Sequence, residues 1–193
     1  MLTTLVTDEL DFPNLSMVGV DDRAAAYTAV DYLIRQGHRK IAVLGGPVTS
    51  YPSLMRRKGA QQAMEDAGIL FNDKLYGLSN YDFESAYHAM NSLLARRAEF
   101  TALFAMSDVI AFGAIRALVS AGLRVPEDVS VIGFDGITMS RYCVPVMTTI
   151  VQPSEQIALQ SIELLVRQIE HGSPAQTVTL QPELQQGESV RAI

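Results

Sequence analysis

Residues 37–47, Gly37-His38-Arg39-Lys40-Ile41-Ala42-Val43-Leu44-Gly45-Gly46-Pro47, decide the fold. Four apolar residues in an unbroken row, stopped by two glycines and a proline, read as a strand buried on both faces. On the N-terminal side, Asp21-Asp22 can cap a helix in which Ala26, Val30, Leu33 and Ile34 recur at helical spacing. Gly37 ends that helix, because a left-handed C-terminal stop costs glycine nothing. On the C-terminal side a second helix is expected over about 52–67, with Ala60, Met64 and Ala67 on one face and Gly68 as its stop.

The same alternation extends in both directions. Residues 16–20 form a strand upstream. Downstream come a weaker strand at 75–78, a helix over 82–97 and a strand at 101–105. Ser107 caps the next helix, which runs to Gly122 with Asp108 set against the positive end of its dipole. The turn Pro126-Glu127-Asp128 leads into a strand at 129–133, and another follows at 148–151. Residues 154–171 form a helix carrying Ala158, Ile162, Leu165 and Ile169 and ended by Gly172; 177–184 holds one or two short strands. Strands and helices in alternation, with continuous apolar strands, predict an α/β fold: a parallel sheet with helices on both faces.

Composition narrows the function classes. The 193 residues are 48% hydrophobic and 19% charged, and 15 Lys+Arg against 21 Asp+Glu leave a net charge of −6. Such a chain has no general electrostatic footprint for nucleic acid or an anionic membrane. One cysteine, Cys143, excludes an internal disulfide framework and a cysteine-based zinc cluster. His38, His88 and His171 show no metal-ligand spacing, and no cofactor motif is present: Leu44-Gly45-Gly46-Pro47 lacks the spacing and lysine of a phosphate loop and reads as a tight turn. No apolar run approaches the roughly 20 residues of a membrane span. The opening MLTTLVTDELDF carries acids and no basic stretch, unlike a signal peptide, so a cytoplasmic location is expected.

In open parallel sheets, ligands bind beyond the carboxyl ends of the strands. The residues there are Asp21 and Asp22, the Gly45-Gly46-Pro47 turn, Asn80 and Tyr81, Ser107 and Asp108, Asp135, and Gln152; Arg56 starts the second helix on the same edge. Carboxylates accept from hydroxyls, Arg and Gln donate, and an aromatic face stacks on an apolar ring surface, a set suited to a neutral polyhydroxylated ligand. One arginine among several acids fits a neutral sugar or nucleoside better than a phosphorylated sugar. Caps and turns explain about half of these residues without any ligand. Cys143 has no histidine near it in sequence and reads as a small packed residue; nothing assembles a nucleophile, base and oxyanion site.

Several segments together resemble the middle of LacI/GalR-type transcriptional regulators. They are Val20-Asp21-Asp22, the 37–47 stretch, Arg56-x-x-Gly59, Ser107-Asp108-Val109-Ile110-Ala111-Phe112-Gly113-Ala114, Gly122 to Asp135 (GLRVPEDVSVIGFD), and Pro145-x-x-Thr148-Thr149-Ile150-x-Gln152-Pro153. Their order and spacing run over roughly 17–172. The resemblance implies a periplasmic-binding-protein-like type I core of two lobes, with a sugar, sugar phosphate, nucleoside or purine held between them. Arg56 and Asp135 would hold ligand hydroxyls and Tyr81 would stack. Ser107 stands where an asparagine often contacts ligand. Gln152 and Val20 stand at the two lobe crossovers, close to the ligand.

By the same resemblance, residues 1–19 would be a remnant of the first lobe and 20–150 the second lobe. Residues 151–193 would comprise the crossover, a first-lobe helix and C-terminal strands. The helix-turn-helix and most of the first lobe of such regulators have no counterpart in these residues. The expected function is thus the effector-binding and dimerisation core of a regulator, with operator DNA bound only by a full-length parent. The apolar stripe of 154–171 would then be covered by another copy or by rearrangement. A sugar-binding protein of the same fold and an α/β enzyme are the alternatives.

Overall fold

The structure, a computed structural model, describes residues 16–97 and 99–193. The expectations for the first dozen residues, and for most of 1–19, fall outside the described residues. In chain order the elements are β1 (Met17–Val20), α1 (Asp22–Arg35), β2 (Ile41–Gly45), α2 (Tyr51–Asp66), β3 (Tyr76–Leu78), α3 (Phe83–Ala95), β4 (Ala102–Ala105) and α4 (Asp108–Ser120). There follow β5 (Ser130–Asp135), β6 (Thr148–Val151), α5 (Ser154–His171), β7 (Thr177–Leu180) and β8 (Glu183–Gln185). Short 3₁₀ turns occupy Asp73–Leu75 and Thr138–Arg141.

The chain divides into two units, one of residues up to Asp21 with Gln152–Pro182, the other of Asp22–Val151 with Glu183–Ile193. The larger unit is built on a six-stranded sheet of order β3-β2-β4-β5-β6-β8. Every residue of β2 and β4 is buried, as are Ser130 to Phe134 of β5. Consecutive strand residues point to opposite faces, so burial of both sets means that both faces of the sheet are covered. Helix α1 packs with α2, and α3 with α4. Phe104, Leu103, Ile132 and Phe134 from the central strands meet Leu33, Met64, Met90, Leu93, Ile110 and Leu118 in one core.

The five strands β2 to β6 pair in parallel, as the apolar runs predict, but β8 runs antiparallel to β6. This last strand lies at the edge, and its segment belongs to the larger unit rather than with α5. The tail after β8 is sewn to the sheet by buried hydrogen bonds. Ser189 Oγ accepts from the Thr148 N–H at 2.8 Å and donates to the Val131 carbonyl at 2.6 Å, and the Ile193 N–H reaches the Gln36 carbonyl. His38, in the turn after α1, is buried: its Nε2–H donates to the Arg191 carbonyl and Nδ1 accepts from the Thr101 hydroxyl.

In the smaller unit β1 and β7 pair in parallel, and α5 presents Leu164 to the interior. Its Leu159, Ile162, Val166 and Ile169 are exposed, spaced three and four residues apart on one face. Of the expected stripe, Ala158, Ile162 and Ile169 are exposed and Leu165 is half-buried. No helix among the described residues is long and apolar enough to cross a membrane.

Candidate functional site

The site begins at the start of α2. Ser50 is its N-cap in extended conformation, its hydroxyl accepting from the Ser53 N–H, and Pro52 sits in the first turn, where its missing N–H leaves no bond unmade. One turn further on lies Arg56, buried. Its Nε donates to Asp22 Oδ1 at 2.7 Å, its Nη1 to the Met106 carbonyl at 2.5 Å, and its Cζ stands 3.6 Å above the centroid of the Phe134 ring. A guanidinium out of water requires such acceptors, and its fixed plane allows it to be stacked and hydrogen-bonded at once. Arg56 therefore ties together the start of α1, the end of β4 and the end of β5.

Asp135, the last residue of β5, brings Oδ1 to 3.6 Å from Arg56 Nη1. Its φ of 112° is in the region that favours glycine, as is the φ of 61° at Tyr81. Such conformations cost an ordinary residue about 1–3 kcal/mol each and concentrate where ligands are clamped. Both residues line one cavity of about 330 Å³, together with Ser50, Pro52, Arg56, Ser107 and Val109. The Tyr81 hydroxyl is buried without a hydrogen-bond partner among the described residues. Its ring lies against Gly46, where a Cβ would stand 2.1 Å from Cε2. Gly45 and Gly46, expected as a tight turn, adopt no left-handed φ; at Gly46 the lack of a side chain leaves room for the tyrosine.

Ser107 is both cap and lining: its Oγ accepts the Ile110 N–H at 3.1 Å while the residue borders the cavity, and the hydroxyl hydrogen remains available to donate. Four of the six expected contacts, Arg56, Asp135, Tyr81 and Ser107, are thus brought together in the larger unit. The other two, Val20 at the end of β1 and Gln152 after β6, belong to the smaller unit, and the cavity is lined without them. Among the described residues no group of three or more His, Cys, Asp or Glu is placed to hold a metal ion. Cys143 is half-buried, its Sγ donating to the Ser140 and Pro145 carbonyls, and burial pushes its thiol pKa up.

Three participants have roles that the sequence did not show, although Asp22 and Asp108 stand among the strand-end residues. Phe134, the platform under Arg56, was hidden in an apolar strand. Asp22 reads as a helix start, although Asp21-Asp22 at a strand end carried a signal. Asp108 reads as a dipole partner at the start of α4; in the structure it is fully buried and burial pushes its carboxyl up to about 6, against hydrogen bonds from Thr149, Ile137 and Gly136 that pull it down.

Comparison with known proteins defines the class. The periplasmic binding protein-like domain family matches residues 30–190. The HTH-type transcriptional repressor PurR of Histophilus somni (strain 129Pt) is 35% identical over 181 residues, 93% of this chain and 54% of that protein. A solved complex of the transcriptional regulator CelR with cellobiose superimposes with a TM-score of 0.90 at 32% identity, over 94% of this chain and 56% of that one. A sugar-binding LacI-family regulator of Escherichia coli, solved with phosphate, matches with a TM-score of 0.84 at 31% identity, over 93% of this chain and 69% of that one. The chain belongs to the periplasmic binding protein-like family, in the branch of LacI-type transcriptional regulators. It spans about half the length of the curated relatives it matches, and those relatives are regulators rather than enzymes.

Proposed function

We propose that the larger unit binds a neutral polyhydroxylated effector, a sugar or nucleoside, in the cavity bordered by Arg56, Asp135, Tyr81 and Ser107, and that this binding governs operator binding by a full-length regulator. The observation that carries the reading is the pair Arg56 Nη1 and Asp135 Oδ1 held 3.6 Å apart. That separation is too long for a direct hydrogen bond between them. A hydroxyl fills it in both senses, accepting from the guanidinium and donating to the carboxylate, as one vertex of a sugar ring would. The volume of about 330 Å³ lies at the small end of ligand cavities and suits a single ring. The Tyr81 hydroxyl, buried and without a hydrogen-bond partner among the described residues, would gain one from the same ligand. CelR, whose structure contains cellobiose, shows that a neighbour of this fold takes a neutral sugar.

The effector would act by population shift, stabilising the arrangement of the parent that it binds better. The parent is proposed to work as a homodimer in the cytoplasm. Ile137, Met139, Tyr142 and Val144 are 36%, 58%, 77% and 94% exposed within eight residues of chain, an apolar surface that a second copy would cover. Thermal shift against a panel of sugars, nucleosides and purines tests the effector reading. A neutral member is expected to raise the melting temperature, and Arg56→Ala and Asp135→Ala to abolish the rise. A rise that survives both substitutions refutes the assignment of the site.

A further inference from the structure

Asp108 is the most completely buried ionisable side chain among the described residues, and the proposed ligand contacts do not use it. It is the first residue of α4. From there Oδ1 accepts the Thr149 hydroxyl of β6 at 2.6 Å and Oδ2 accepts the Ile137 N–H at 2.9 Å, while the Gly136 N–H adds a weaker interaction with the same carboxylate. Oδ1 also lies against Gly133 of β5, where a Cβ would stand 2.2 Å from it. One carboxylate therefore holds the two peptide N–H groups that directly follow Asp135, the residue whose φ of 112° needs outside support.

We propose that Asp108 is the positioning residue of the site: its carboxylate, by holding the Gly136 and Ile137 amides, keeps Asp135 in its left-handed conformation beside Arg56, and protonation of Asp108 loosens that hold. A charged carboxylate offers both oxygens as acceptors to its three donors; the neutral acid turns one oxygen into a donor, so one of the three bonds weakens. Burial places this change at about pH 6. The titratable groups set against Asp108 are Asp135, whose charge pushes it further up, and the Cys143 thiol beyond the 3₁₀ turn. Thr149 and Gly133, facing it from β6 and β5, carry no charge. The consequence, an effector affinity that falls as pH drops through about 6, rests on the reading of the cavity as the effector site. The positioning itself does not.

The test therefore uses the isotope-labelled 193-residue chain without ligand, followed by NMR as pH is varied across about 4.5–8, the span that brackets a raised carboxyl. The Gly136 and Ile137 amide resonances are expected to move together with a midpoint at about pH 6. Asp108→Asn is expected to abolish the movement and to shift the side-chain carboxyl carbon of Asp135, while that of Asp128, which is paired with Arg124, stays in place. Amides that do not titrate, amides that titrate unchanged in the variant, or an Asp135 carboxyl that ignores the substitution would each overturn the proposal. Thr149→Val offers a second route: losing the hydroxyl donor should raise the midpoint, and an unmoved midpoint counts against the clamp. Titration as stated in a chain that no sugar stabilises would keep the positioning and reject the effector reading. Sugar binding with pH-independent amides would do the reverse.

Discussion

Gly59→Ala separates helix propensity from packing by the sign of its effect. In the interior of a helix, alanine is favoured over glycine by about 1 kcal/mol, so local preference alone predicts a more stable chain. The structure predicts the opposite. A Cβ at Gly59 of α2 would stand 2.1 Å from the Arg23 carbonyl oxygen and 3.0 Å from the Tyr27 nitrogen, both backbone atoms of α1. Ordinary carbon–oxygen contacts start near about 3.3 Å, and backbone cannot rotate away as a side chain can, so the two helices must part by about 1 Å. Helix α1 begins at Asp22, whose carboxylate receives Arg56 Nε from α2 at 2.7 Å. Opening by about 1 Å takes that bond out of reach. Overpacking costs about 1–3 kcal/mol and a lost charge-assisted hydrogen bond about 1.5–3 kcal/mol, so after the propensity gain the net loss is about 2–5 kcal/mol. For a chain of this size that corresponds to roughly 4–20 °C in melting temperature. Urea and thermal unfolding followed by circular dichroism measure it. A variant that unfolds at the same or higher denaturant would refute both the close packing and its control over Arg56.

Three further outcomes follow from individual contacts. Burial pushes the pKa of His38 down, so its stabilising contribution is complete above its unfolded value of about 6.5 and is lost as pH falls through the folded value. The difference in unfolding free energy between the native chain and His38→Gln should therefore shrink from pH 8 toward about pH 5, and a pH-independent difference would refute the neutral buried ring. Tyr142→Asp should convert a sedimenting dimer to monomer without lowering the melting temperature of the folded unit; an unchanged mass would remove the 137–144 loop from the interface. Asp135 at the cavity and Asp22 paired with Arg56 behind it set two carboxylates against one guanidinium, so a sugar phosphate should bind about tenfold or more weaker than its neutral parent, since each unit of net like charge at about 4 Å costs up to about 4 kcal/mol near a protein surface. Calorimetric titration that finds the phosphate tighter would refute the assignment of ligand charge.

Where one face or both faces of an element carry a repeated pattern, sequence was enough. The unbroken apolar runs of β2, β4 and β5 announce strands covered on both sides, and the residues that end them point to the ligand edge without any coordinates. Asp135 was legible as a candidate for that reason, and Arg56 as a residue at the start of the helix on the same edge. Strand β8 was not legible as an antiparallel partner of β6, because Glu183–Gln185 is three residues long and carries no periodicity. The burial of Asp108 and His38 was equally hidden: a carboxylate after a capping serine and a histidine after a helix-stopping glycine look the same in sequence whether solvated or enclosed. Only the partners, Thr149 and Ile137 for one and Thr101 and Arg191 for the other, distinguish the cases, and they stand 29 to 153 positions away. The left-handed φ of Asp135 had a weak signal in the glycine that follows it, since a turn of that kind often shares its unusual conformations between neighbours.

Arg56 serves the fold and the proposed ligand at once, with Nη1 taking part in both, and this overlap decides which substitution isolates binding. Its Nε bond to Asp22 and its Nη1 bond to the Met106 carbonyl close gaps between α1, α2 and β4, and its stacking on Phe134 fixes the plane. Removing the guanidinium leaves a buried carboxylate without its cation, a loss on the order of 3–5 kcal/mol that has nothing to do with ligand. Lysine keeps the charge but cannot reach two acceptors while lying flat on a ring. Asp135 stands differently: it is more exposed than Asp22, and at 3.6 Å its contact with Arg56 contributes less to the fold than the 2.7 Å bond to Asp22. Asp135→Asn retains the shape and the bonds of the following amides to Asp108 while removing the negative charge and exchanging one acceptor oxygen for an NH2 donor, which weakens acceptance from a ligand hydroxyl. Loss of binding in that variant with an unchanged unfolding midpoint assigns Asp135 to the ligand, whereas the same loss in Arg56→Ala reports folding and binding together.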